Sequence, residues 1–176
     1  MSLDPQLQEL LDKQAISDII QRYSRTLDWL DAEGQAGCYW DDAAIDYGFY
    51  KGDAKGFLPV VMEIEQASVR RWHMLSQPLI KFHSPISASS ECYGIASAAR
   101  EQEDGTLGGN IYGGRYLDEW EKRGVGESEE WRISKRTYLV DWKVPTSDQP
   151  GFDPNPDFPL PTVKIDQSNH PLYRKL

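Results

Sequence analysis

Cysteine, histidine and long apolar runs are scarce in this chain of 176 residues, and each scarcity narrows what it can be. The two cysteines, Cys38 and Cys92, form neither a CxxC pair nor a zinc-like spacing. Two thiols in a chain of this size are expected as buried groups of a reducing compartment rather than as a disulfide, so the expected location is cytoplasmic. No His/Asp/Glu grouping has metal-ligand spacing, and no metal is expected. No GxGxxG or Walker pattern leads into a helix, and no cofactor is expected either. No stretch approaches the ~20 apolar residues that span a bilayer. The start, Met1-Ser2-Leu3-Asp4-Pro5, lacks the basic and apolar regions of a signal peptide. Basic residues are outnumbered, 19 Lys and Arg against 28 Asp and Glu, for a formal charge of −9. That field repels phosphate backbones and anionic lipid, which argues against nucleic-acid and membrane partners. The best basic patch, Arg70-Arg71, is too short to reverse it. Nothing repeats at a fixed period, which excludes solenoids and propellers.

What is present is enough chain for one domain with a sizeable core and a tail. Ile16, Ile20, Tyr23, Leu27 and Leu30 recur at alternating spacings of four and three, the stripe of an amphipathic helix. Asp4 and Pro5 supply its cap and first turn, and Gly34 its stop. Residues 35–40 read as a second short helix. Residues 43–50 read as a strand with Ile45, Tyr47 and Phe49 on one face, and Lys51, Gly52 and Asp53 as a turn. A third helix is expected over 53–68, with Pro59 tolerated if it falls in the first turn. Four strands then follow, at 72–82, 91–102, 110–122 and 131–142, separated by turn-rich links. Consecutive strands with short links are antiparallel neighbours, so the class is α+β, with helices on one face of a curved sheet. Gly108-Gly109 and Gly113-Gly114 suggest bulges that bend it. From residue 143 prolines dominate, and 143–176 reads as an extended tail. Its apolar residues, among them Phe152, Phe158 and Ile165, favour docking on the domain or on a neighbouring subunit.

Several segments carry a family resemblance: Tyr23-Ser24-Arg25-Thr26-Leu27-Asp28, Tyr39-Trp40-Asp41-Asp42, Tyr50-Lys51-Gly52, Trp72-His73-Met74 and Trp131-Arg132-Ile133-Ser134-Lys135-Arg136. Together they resemble the SnoaL-like branch of the nuclear transport factor 2-like superfamily. The nearest resemblances are to hexachlorocyclohexane dehydrochlorinase, bile-acid 7α-dehydratase and scytalone dehydratase. The resemblance covers residues 10–142, making 1–142 the domain. It implies a cystatin-like α+β barrel: a cone-shaped, curved, antiparallel (mixed) sheet with about three helices of the N-terminal half, enclosing one deep pocket. In those lyases an Asp late in the first helix pairs with a His on the strand after the third helix. Asp28 and His73 match these positions, which implies His73 as general base oriented by Asp28. The same comparison matches Tyr23 and Arg136 to residues that bind substrate or stabilise charge. It also implies a homo-oligomer, with a trimer favoured.

The departures from the pattern concern the substrate. Tyr23 stands where the dehydrochlorinase has a catalytic Lys, and Arg100 or a neighbour where the bile-acid enzyme has an acid. That enzyme's catalytic Arg falls near Val140, and the second His of scytalone dehydratase has no clear counterpart. The expected activity is a cofactor-independent elimination, dehydrating or dehalogenating, on a small, largely apolar cyclic ligand. An imidazole takes a proton at neutral pH, and a carboxylate on its far nitrogen stabilises the imidazolium. An isomerase or cyclase using the same pair, a non-catalytic binding domain, and a scaffold like a ring-hydroxylating dioxygenase β-subunit remain open. So do plainer readings of single residues. Tyr23 lies on the apolar stripe and suits a core, and Arg136 suits either a pocket or the surface. His83 reads as a loop residue and His170 as part of the tail.

Overall fold

The computed structural model describes residues 4–125, 128–146 and 165–175. Helix α1 runs Pro5–Asp28, capped by the Asp4 carboxylate, which accepts from the Gln6 and Leu7 amides. It stops six residues before Gly34, because Leu30 takes the left-handed conformation (φ 56°) usually left to glycine. The Leu30 amide then donates to the Leu27 carbonyl at 3.1 Å and the Asp31 amide to the Thr26 carbonyl at 2.8 Å. These two bonds close the end of the helix as a Schellman motif. Burial of the Leu30 side chain offsets the backbone strain.

Asp31 caps the short α2, Ala32–Ala36, which ends before Tyr39 and Trp40 rather than including them. Those two residues open β1, Tyr39–Asp46, so the strand lies four residues earlier than its alternation suggested. Both are buried although adjacent, and the register against β7 shifts between Tyr39 and Ala44; that irregularity hides the strand period. The expected turn at Lys51–Asp53 is strand β2, paired antiparallel with residues 44–46 of β1. Helix α3 covers Ala54–Gln66 on the Asp53 cap. Pro59 falls in its second turn, not its first, and removes the amide that would bond the Lys55 carbonyl.

The segment expected as one strand over 72–82 is two: β3 Arg70–Leu75 and β4 Leu79–Ser84, broken at Pro78. Both pair with the long β5, Ser87–Glu101, on different halves of it. His83 therefore lies on β4 rather than in a loop, with Nε2 2.9 Å from Ser89 Oγ. Strands β6, Leu107–Val125, and β7, Ser128–Pro145, complete a seven-stranded sheet ordered β2-β1-β7-β6-β5-β3, with β4 beside β5. Only β1·β7 is parallel; the sheet is curved and unclosed. Gly113 and Gly114 mark a bulge: Gly113 pairs with Trp142 and Gly114 with Val140, leaving Asp141 extra. Gly108 and Gly109 instead pair regularly with β5, where a Cβ at Gly109 would sit 2.0 Å from the Ala98 carbonyl oxygen.

Helix α1 packs on β3 and β7, and α3 on β1. The core between helices and sheet is built from Ile16, Ile20 and Leu27 of α1, Phe57 and Val61 of α3, and Tyr39, Trp120 and Ile133 of the sheet. Among the described residues no helix is long and apolar enough to cross a membrane. Of the expected tail, 143–145 continue β7 and 147–164 lie outside the described residues. Residues 165–175 rest on the end of α1, where Trp29 meets His170 and Tyr173, and Tyr173 donates to Asp31.

Candidate active site

A cavity of about 740 Å³ opens between α1, α3 and the concave face of the sheet, within the range of small-molecule sites. His73, Glu65, Tyr23, Tyr47, Tyr116 and Arg100 are among the residues that line it. A second hollow of about 540 Å³, on the outer face around Leu117 and Lys135, holds no comparable chemical grouping.

Asp28 ends α1 and His73 sits mid-strand in β3, the strand α1 packs against. The Asp28 Oδ1 atom lies 2.7 Å from His73 Nδ1, and Oδ2 accepts from the His73 backbone amide at 3.1 Å. Two bonds to one residue fix the carboxylate plane and hold a proton on Nδ1, which leaves the Nε2 lone pair facing the cavity. The neighbouring Asp31 serves instead as the cap of α2. Burial pushes the His73 imidazole down, but the Asp28 hydrogen bond and the charges of Glu65 and Asp28 together raise it above 6.5.

Glu65 was not anticipated from the sequence. It lies in the last turn of α3 with Oε1 3.7 Å from His73 Nε2. One signal was available: Ala54, Phe57, Val61 and Glu65 form the buried stripe of the helix, and a carboxylate that continues an apolar stripe is out of place on a surface. Burial pushes its carboxyl above the ordinary value, while His73 and Arg71 pull part of the way back.

Tyr23 lies on the cavity wall, its hydroxyl 2.8 Å from that of Tyr47. Burial holds the phenols of Tyr23, Tyr39 and Tyr116 well above their usual range, so they are neutral donors, not bases. Arg136 occupies neither of its expected positions. It is fully buried behind the tyrosines, with Nε and one terminal nitrogen each 2.7 Å from an Asp118 oxygen. The guanidinium carbon stands 4.2 Å from the Tyr23 ring centroid and 4.8 Å from that of Tyr116. Its charge reaches the cavity only through those rings. Arg100 does line the cavity. Among the described residues no cluster of three or more His, Cys, Asp or Glu could hold a metal ion.

The sequence profile of the SnoaL-like domain matches residues 8–137. No curated protein sequence matches the chain. Among solved structures, a type 2 hexachlorocyclohexane dehydrochlorinase (LinA) superposes with a TM-score of 0.69 at 18% identity, over 81% of this chain and 94% of that one. A candidate scytalone dehydratase from Novosphingobium aromaticivorans gives 0.66 at 20% identity, over 79% and 90%. A nuclear transport factor 2-like superfamily protein from Salmonella enterica serovar Typhimurium gives 0.62 at 20% identity, over 80% and 98%. At these identities the structures speak to the fold, which is the cone of that superfamily.

Proposed function

This chain belongs to the SnoaL-like domain family, and we propose from that premise that it is a cofactor-independent lyase for a small, largely apolar cyclic substrate. The observation that carries the reading is the Asp28–His73 pair, 2.7 Å apart, on the wall of a cavity lined by tyrosines. His73 Nε2 removes a proton from the carbon next to an activating carbonyl. A leaving group departs from the adjacent carbon, and Asp28 stabilises the imidazolium that forms. Base catalysis of this kind supplies about 10²–10⁴-fold. The Tyr23–Tyr47 hydroxyl pair presents a neutral donor for the enolate oxygen, and the Arg136 charge behind the Tyr23 ring favours negative charge there. A pure scaffold has no use for an imidazole whose Nδ1 is held by one Asp28 oxygen while the other fixes the His73 backbone amide, which sets the lyase reading above a binding-only one.

The protein is further proposed to be a homo-oligomer, a trimer by resemblance. The register aligns Trp72, Met74, Tyr93, Ile95, Leu117 and Leu139 on the outer face of β3, β5, β6 and β7, all substantially exposed in the single chain. The tail that follows β7 is proposed to dock on the domain or on a neighbouring subunit, and the buried free thiols Cys38 and Cys92 suit a cytoplasmic setting.

A panel of β-hydroxy and β-halo cyclic ketones, followed by absorbance of the enone, tests the chemistry. Turnover is expected for the wild-type protein and its near-complete loss in His73→Asn and Asp28→Asn. Wild-type turnover in His73→Asn would remove the base, and ligand binding without turnover across the panel would favour the binding domain. Light scattering that gives a monomer at micromolar concentration would remove the trimer.

A further inference from the structure

Glu65 is a buried titratable group beside the base that this chemistry leaves unused. Its side chain is about nine-tenths buried, yet it borders the cavity, and its Oε1 faces the same nitrogen, His73 Nε2, that takes the substrate proton. Its Oε2 is buried without a hydrogen-bond partner. A buried carboxylate kept only for structure is normally satisfied by donors. The nearest cation does not serve: Arg71 Nε stands 4.0 Å from Oε2, and the guanidinium donates instead to the carbonyls of Glu65, Ser68, Asp28 and Ile165. With no donor to neutralise it, the carboxyl group as a whole is better accommodated neutral than charged, and Oε1 is the oxygen placed to exchange a proton beside His73.

We propose that Glu65 is the general acid of the elimination, protonating a departing hydroxyl, and that the site is accordingly built for an alcohol rather than a halide leaving group. This rests on the base reading of His73. A halide leaves as a stable anion without help, whereas hydroxide is a poor leaving group and needs a proton as the C–O bond breaks. In the balanced sequence, His73 Nε2 takes the C–H proton and leaves its electron pair in an enolate, and that pair forms the C=C bond as the C–O bond breaks. The C–O pair goes to oxygen, which receives the Glu65 proton and leaves as water. The site then holds imidazolium and carboxylate 3.7 Å apart. Transfer of the proton from Nε2 to Oε1 restores both groups without recourse to bulk solvent. Before each turnover the pair thus shares one exchangeable proton, and its titration belongs to the pair. The charged groups facing it are Asp28 from α1, Arg71 from β3 and Arg100 from β5; Asp28 favours retention of the proton and the two arginines oppose it.

The first test is a carbon-13 carboxyl titration of the whole ligand-free protein, with Glu65→Gln assigning the resonance. Burial raises the Glu65 carboxyl, which is therefore expected to keep its proton to a higher pH than the exposed glutamates of the same chain. If it ionises together with the other glutamates, the proposal is overturned whether or not any substrate turns over. The second test follows 3-hydroxycyclohexanone in D₂O by proton NMR. Glu65→Gln is expected to lower enone formation by about 10²-fold or more relative to deuterium exchange at C2. Undiminished enone formation in Glu65→Gln overturns the acid role and leaves the base intact. Absence of exchange in the wild type counts against His73 as the base, and the titration still decides for Glu65.

Discussion

Replacing Arg136 by methionine keeps most of the side chain's length and removes its charge, and the structure makes the consequence calculable. Arg136 and Asp118 are both fully buried and joined by two hydrogen bonds of 2.7 Å. Breaking such a pair from one side strands the other charge, at a cost of about 3–5 kcal/mol. Loss of the guanidinium 4.2 Å from the Tyr23 centroid removes a desolvated cation–π contact, worth up to about 2 kcal/mol. The sum, about 3–7 kcal/mol, compares with a total stability of about 5–15 kcal/mol for ordinary domains. Arg136→Met should therefore stand at the edge of folding. Urea unfolding followed by tryptophan fluorescence measures this, because Trp120 and Trp131 are buried in the core. The double variant Arg136→Met/Asp118→Leu exchanges the pair for apolar volume and should recover most of the loss. A single variant within about 1 kcal/mol of the wild type would refute the reasoning that loss of the guanidinium strands a buried Asp118 charge.

Other expectations are more local. The folded His73 value lies above 6.5, so its contribution to stability is complete below about pH 6.5 and is lost as pH rises through the raised value. Asp28→Asn should lower the His73 titration seen by nitrogen-15 NMR and flatten that decline in the urea midpoint; an unchanged titration would mean that the hydrogen bond is absent in solution. Burial pushes the Cys38 and Cys92 thiols up to about 12, so a thiol reagent at mildly alkaline pH should label neither until urea unfolds the protein, and prompt labelling of the native form would contradict their burial. Gly109→Ala sets a methyl group 2.0 Å from the Ala98 carbonyl oxygen, and thermal melting should show a loss of about 1–3 kcal/mol; an unshifted melt would show that β5 and β6 separate more readily than their register implies. A chain shortened to end at residue 164 loses the carbonyl that Arg71 holds and the ring over Trp29, and hydrogen exchange should quicken at the end of α1.

Much of this architecture was legible in residue patterns, and the failures have identifiable causes. The stripe from Ile16 to Leu27 revealed α1, but the helix ends through the left-handed Leu30 and not at Gly34. Tyr39 and Trp40 were read as helix because adjacent buried residues at a register shift mimic neither strand nor helix period. The break between β3 and β4 was marked by Pro78, yet both strands pair with β5, so the apolar run across it is continuous in space. Spacing alone does not bring Asp28 to His73, 45 residues away; family resemblance singled them out. Glu65 was missed because its environment depends on which helix face meets the sheet, a matter of packing and not of local sequence.

Arg71 ties the site to the order in which the chain is made. Its guanidinium accounts for the Glu65 and Ser68 carbonyls from one side and the Asp28 carbonyl from another, and it closes on the Ile165 carbonyl at 2.8 Å. That last acceptor comes 94 residues later in the chain. At ~5–20 residues per second of synthesis, the strand bearing His73 exists for roughly 5–20 s before its neighbour's final partner does. Sheet and helices can assemble in that interval, but the Arg71 guanidinium still lacks its Ile165 acceptor. Completion of the site is thus a late event in maturation, set by the arrival of a segment that itself touches no substrate.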